Sequence, residues 1–183
     1  EAITGGVDQS FTSEGKHNLI FVGHFKNYWD INRSTYFEVG FSGATGKNDP
    51  AEKFRTIIGG VDLTLKWSPP GRAKYRGIEW RTEALYSKRD TLNGDVQTWG
   101  AFSSVQCRLS ARTLISGRLD YSQLPWDPNL EEKGLAVAFD YWQSEFVFIR
   151  FQYSYIDRNF DEDDHRFIVQ TNWAMGPHKH EAY

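Results

Sequence analysis

The chain has 183 residues, 25% of them charged, with a formal net charge of −3 and a negative mean hydropathy. This length suffices for one domain with a full core, yet no run approaches the roughly 18 apolar residues of a membrane-spanning helix. The charge balance lacks the basic signature of a nucleic-acid binder, and the single Cys107 cannot form an intrachain disulfide.

Residues 1–16 are polar, contain Gly and Ser, and read as a loop. Beyond them a period-2 alternation recurs nine times with turn residues between, the signature of strands. The first apolar set is Leu19, Phe21, Gly23, Phe25, Asn27 and Trp29, in a strand from Asn18 to Trp29. The second is Thr35, Phe37, Val39, Phe41 and Gly43; the third is Ile57, Gly59, Val61, Leu63, Leu65 and Trp67. Ile78, Trp80, Thr82, Ala84 and Tyr86 form the fourth, and Trp99, Ala101, Ser103, Val105, Cys107 and Leu109 the fifth. The sixth is Thr113, Ile115, Gly117, Leu119 and Tyr121, and the seventh Leu135, Val137, Phe139 and Tyr141. Val147, Ile149, Phe151, Tyr153 and Tyr155 form the eighth. Phe167, Val169, Thr171, Trp173 and Met175 form the ninth, in a strand from Arg166 to Met175. None of these positions is charged. The interleaved positions carry both signs: Lys26, Glu38, Asp62, Lys66, Glu79, Arg81, Glu83, Arg108, Arg118, Asp120, Asp140 and Arg150. Alternation places each set on its own face of a sheet.

One apolar and one polar face suit a soluble β-sandwich as well as a membrane barrel. Three features favour the barrel. Connections at Ile31-Asn32-Arg33, Ser110-Ala111-Arg112 and Gln143-Ser144-Glu145 are tight, whereas those after strands two, four, six and eight read as long and polar. Alternation of short turns and long loops marks an outer-membrane meander. The strands, about 9 to 13 residues long, match a tilted bilayer crossing better than soluble strands. Aromatics form two belts on the apolar face. Trp29, Trp67, Trp80, Tyr141 and Trp173 lie near the short turns, and Tyr86, Trp99, Tyr121 and Tyr155 near the long loops, as interfacial girdles do.

In this architecture the chain resembles bacterial outer-membrane porin-like β-barrels over nearly its whole length. The terminal Tyr183 is similar to the final aromatic such barrels present to their assembly machinery, although Pro177, Lys179 and Glu181 depart from the usual alternation. The tail 176–183 resembles the Gly-x-His-x-x-His ending of zinc-regulated outer-membrane receptors, with His178 and His180 one residue apart instead of two. The expectation is an all-β, antiparallel transmembrane meander occupying 1–183 as one domain, with 1–16 an extracellular loop and 176–183 a periplasmic tail. Nine strands that end on the periplasmic side must begin outside, and bacterial barrels have even strand numbers. The chain therefore reads as the C-terminal part of a larger barrel, its edges covered by upstream strands or a partner chain.

Paired as hairpins, the polar positions set Lys26 opposite Glu38, with Phe25 opposite Val39 on the other face. Lys66 then faces Glu79, Asp62 lies diagonal to Arg81, and Arg118 and Asp120 face Ser104 and Phe102. The twelve charged side chains are expected to line a lumen. The run Asp157 to His165 reads as a solvated acidic loop. The same run could also bind a divalent cation, but it lacks the spaced ligands of a calcium loop. His178 and His180, on one side of a strand, are the candidate metal ligands of the tail, too few for a structural site. No nucleophile–base pair, phosphate loop or CxxC motif occurs, and His24, Ser103 and Ser104 carry no catalytic signature. No cofactor is expected. The functional expectation is a non-enzymatic channel for small hydrophilic solutes or ions in the bacterial outer membrane. The alternatives are a plug-gated receptor barrel and a soluble lipocalin-like binding barrel.

Overall fold

The computed structural model describes residues 2–4, 10–12, 19–51, 53–144 and 146–173. The described residues contain no helix; they form one antiparallel sheet. Its strands are β1 (Ala2–Thr4), β2 (Leu19–Asn32), β3 (Thr35–Lys47), β4 (Arg55–Trp67), β5 (Gly77–Thr91), β6 (Gly94–Arg108), β7 (Thr113–Leu124), β8 (Asp127–Trp142), β9 (Val147–Arg158) and β10 (Asp164–Trp173). Every strand pairs with its chain neighbours, in the order β1 through β10. This is the all-β meander that the nine alternating runs predict. Among the described residues β10 does not pair with β1 or β2, so the sheet is open.

Three expectations are corrected. The β2–β3 register is offset by two residues, with Lys26 opposite Gly40, Tyr28 opposite Glu38, and Phe25 opposite Phe41. The turn occupies only Arg33 and Ser34, β2 continues to Asn32, and a bulge between Asp30 and Asn32 absorbs the extra residue. The connections after the fourth and sixth predicted strands are also tight: Leu92-Asn93 joins β5 to β6, and Pro125-Trp126 joins β7 to β8. Ladder hydrogen bonds do not need apolar side chains, so these strands continue past the end of the hydrophobic alternation. Gly94, at φ 113°, supplies the turn backbone that favours glycine. Finally, Ala2–Thr4, expected within a loop, pair antiparallel with Leu19–Phe21.

The remaining connections stay closer to expectation. Residues 48–54 span β3–β4, and residues 109–112 and 143–146 make short turns. The expected acidic loop Asp157–His165 is shortened to 159–163, with Asp157 and Arg158 in β9 and Asp164 and His165 in β10. In the 48–54 connection the Phe54 backbone N–H donates to Asp49 Oδ1 at 2.7 Å, and this bond holds the Asp49 carboxyl below its ordinary pKa.

The two faces differ in burial. Among the described residues 33 large hydrophobic side chains are exposed, including Phe25, Phe41, Trp99, Leu119, Val137, Phe167 and Val169, while only Phe11, Ile20 and Leu114 are buried. Phe11 and Ile20 meet over Gly46, where an added Cβ would lie 2.8 Å from the Phe11 ring and 3.2 Å from Ile20. The remaining buried side chains are polar: Thr56, Thr64, Thr98 and Asp140. On the apolar face Gly23, Gly43 and Gly59 stand opposite one another in a single row across β2, β3 and β4.

Candidate functional site: the charged face

All twelve predicted charged residues fall on the same face, in four hydrogen-bonded rows. Lys26, Asp62, Glu83 and Asp120 share the row that also passes Gly40 and Phe102. Glu38, Arg81 and Arg118 share the next, two residues toward the short turns. Lys66 and Glu79 belong to the third, and Arg108, Asp140 and Arg150 to the fourth. Carboxylates dominate the first row and arginines the second, so rows of opposite sign run side by side. The predicted facing of Lys66 with Glu79, and of Arg118 and Asp120 with Ser104 and Phe102, is observed.

The rows are tied together by ion pairs. Lys26 Nζ lies 2.8 Å from Glu38 and 3.3 Å from Asp62, so the Lys26–Glu38 contact forms diagonally despite the shifted register. Gly40 stands directly between Lys26 and Asp62, and a Cβ there would lie 1.9 Å from Asp62 Oδ2. The missing side chain is the notch through which the two charges meet. Glu79 receives Lys66 at 3.5 Å and also Arg81, so Arg81 pairs along its own strand although Asp62 is its diagonal neighbour. Arg118 Nε donates to both Asp120 oxygens at 2.8 and 3.0 Å, and its guanidinium lies 4.0 Å from the Phe102 ring centre. The most buried pair is Arg150 with Asp140, where Nε and Nη2 donate at 2.6 and 2.8 Å to the carboxylate of a residue only 3% exposed. Among the described residues Glu83 and Arg108 make no ion pair.

The face holds more than the sequence reading assigned to it. Arg158 pairs with Glu132 and Arg166 with Asp164, each at 2.7 Å. Their parity with Asp140 and Arg150 was the signal available for finding them. A cleft of about 570 Å³ opens over the first two rows, lined by His24, Lys26, Glu38, Asp62, Arg81 and Glu83 among others. Both signs of charge are thus presented on one surface with the most buried carboxylate paired.

The nine aromatics expected to form girdles occupy the opposite face. Trp29, Trp67, Tyr86, Trp99, Tyr141 and Trp173 are exposed, and Trp80, Tyr121 and Tyr155 are half-buried. Trp29 stacks on Phe37 with ring centres 6.1 Å apart, and Trp99 lies 4.4 Å from Tyr121. The phenol of Tyr121 donates to Glu131 at 2.9 Å and that of Tyr155 to Asp163 at 2.8 Å, an apolar ring with a wet tip in each case. Among the described residues no three His, Cys, Asp or Glu side chains group as a metal site. His178, His180 and Tyr183 lie outside the described residues. Comparison with family models, with curated proteins and with solved structures returned no match.

Proposed function

We propose that the chain forms the wall of a transmembrane β-barrel in a bacterial outer membrane, a porin-like channel that passes small hydrophilic solutes or ions along its charged face. The observation that carries this reading is the inverted burial: Phe41, Phe167 and Val169 are exposed while Asp140 and Thr98 are buried. Each large apolar side chain left in water forgoes about 1.5–3 kcal/mol, and soluble proteins rarely expose a contiguous patch beyond a few hundred Å². Hydrocarbon removes that penalty. A soluble ligand-holding barrel needs the reverse arrangement, with Phe41 inside and Asp140 outside.

The course of the apolar belt supports the same reading. The row that starts at Phe25 passes Phe41, Val61, Ala84, Ala101 and Tyr121, then reaches Lys133 and Asp157. The row that starts at Trp29, at the short-turn end of its strand, ends at Val137, Tyr153 and Phe167, in the half of the apolar run nearer the long loops. The belt thus crosses the rows obliquely, as it must if it lies level in a bilayer while the strands tilt. From Gly23 onward the outer edge of β2 has no described strand partner, and neither has the outer edge of β10. Unpaired backbone is costly in hydrocarbon, so further strands of the protein or a partner chain complete the wall.

The test is insertion and conductance. Protein folded in detergent should enter vesicles and give discrete, ohmic steps in a planar bilayer. If the protein, together with the strands or partner chain that complete its wall, stays monodisperse in plain buffer and leaves the bilayer silent, the proposal fails.

A further inference from the structure

A second cleft, of about 430 Å³, opens at the short-turn end, where the ends of β4, β5 and β6 meet the 68–76 connection. Three cations from three segments line it: Lys66 of β4, Lys74 of the connection, and Arg108 of β6. Among the described residues its only carboxylate is Glu79, already engaged by Lys66 and Arg81. Asp140, in the same row as Arg108, is held by both donors of Arg150. Lys74 and Arg108 make no ion pair with any described carboxylate, and the stretch from Ser68 to Ile78 contains no acidic residue.

The connection is held in place over the cleft. Ser68 N–H donates to the Ser34 carbonyl at 2.7 Å, tying the loop to the neighbouring turn. Arg72 N–H donates to Pro69, and Tyr75 and Arg76 both donate to Arg72, at 2.8–3.1 Å. Gly71 takes the left-handed φ of 71° that the turn requires. Lys74 is thus carried on a braced turn.

We propose that this cleft binds a small soluble oxyanion, a solute bearing a phosphate or carboxylate group. Its volume lies in the small-molecule range of about 300–1,000 Å³. Uncompensated cations converging on a concave surface concentrate anions there. The Arg108 guanidinium supplies a two-pronged donor matched to an oxyanion, and Lys74 and Lys66 add point charges. The strand residues Lys66 and Arg108 belong to the charged face, across the sheet from the apolar belt, so the ligand is a solute and not a lipid headgroup. The site is complete within the described sheet and stands independently of the channel reading.

Calorimetric titration of the folded chain with inorganic phosphate at low ionic strength tests this. A single saturable site is expected, weakened about tenfold by Arg108→Gln and by Lys74→Gln. Lys133→Gln, which removes a cation at the other end of the sheet, should leave it unchanged. Lys74 is an exposed loop residue, so its variant keeps the fold and reads binding even if Arg108→Gln does not. Absence of a saturable site overturns the proposal, and so does equal weakening by the Lys133 control.

Discussion

Two ion pairs of the charged face differ in what their loss should cost. The Lys26 side chain is 41% exposed, so its contact with Asp62 is screened by water. Gly40→Ala would push the Asp62 carboxylate aside and leave the backbone ladder intact, and denaturant unfolding should show a loss below about 1 kcal/mol. Arg150→Ala instead strands the Asp140 carboxylate in a nearly closed site. That variant should lose about 3 kcal/mol in the same measurement. Equal losses would mean that burial does not set the strength of these pairs. Asp49 gives a pH-dependent counterpart. Its pKa is lowered in the folded chain by the Phe54 N–H, so its contribution is present above the ordinary carboxylate pKa and disappears as pH falls through the lowered value. Hydrogen exchange at the Phe54 amide, corrected for its intrinsic rate, should lose protection over that acidic window and be flat at neutral pH.

At the level of strands, the apolar residues have a defined place that substitution can probe. Phe41, Val105 and Val169 are exposed on the apolar face. If that face meets lipid at mid-membrane, as it should also for Leu63 and Ile149, Arg at any of these positions costs about 2–4 kcal/mol in folding into vesicles. Indifference to such substitutions would contradict the assigned orientation. The alternation that marks these residues made all nine long strands legible, because a period of two survives wherever one face must be apolar. Strand ends were less legible for the same reason: beyond the apolar face nothing in the alternation distinguishes a loop from an extended hairpin. The better signals were turn residues, Asn93-Gly94 for β5–β6 and Pro125 for β7–β8. The parity of the charged residues was readable, but their partners depended on register. The turn at Arg33-Ser34, with the bulge at Asp30–Asn32, moved Lys26 from opposite Glu38 to opposite Gly40, and only in three dimensions does Gly40 become the gap that admits Asp62.

Across the whole sheet, the belt is oblique to the hydrogen-bonded rows, so closing the proposed barrel would require the sheet to curl as well as tilt. Resistance to that curling is uneven, and the glycine row Gly23, Gly43 and Gly59 marks where it is least. Nothing lies within 4 Å of a Cβ added at Gly23 or Gly59, and Gly43 would meet only the Ile58 carbonyl at 3.8 Å. None of the three has the positive φ that disfavours other residues. Alanine therefore fits at all three, and what the glycines contribute is compliance of the backbone, with no gap for an alanine to overfill. Three adjacent strands that share such a position form a crease, along which the sheet folds before its stiffer parts follow. Alanine at all three should leave equilibrium stability unchanged or raise it by about 0.4–1 kcal/mol per site. Time-resolved folding into vesicles should slow nonetheless, because the crease has been starched.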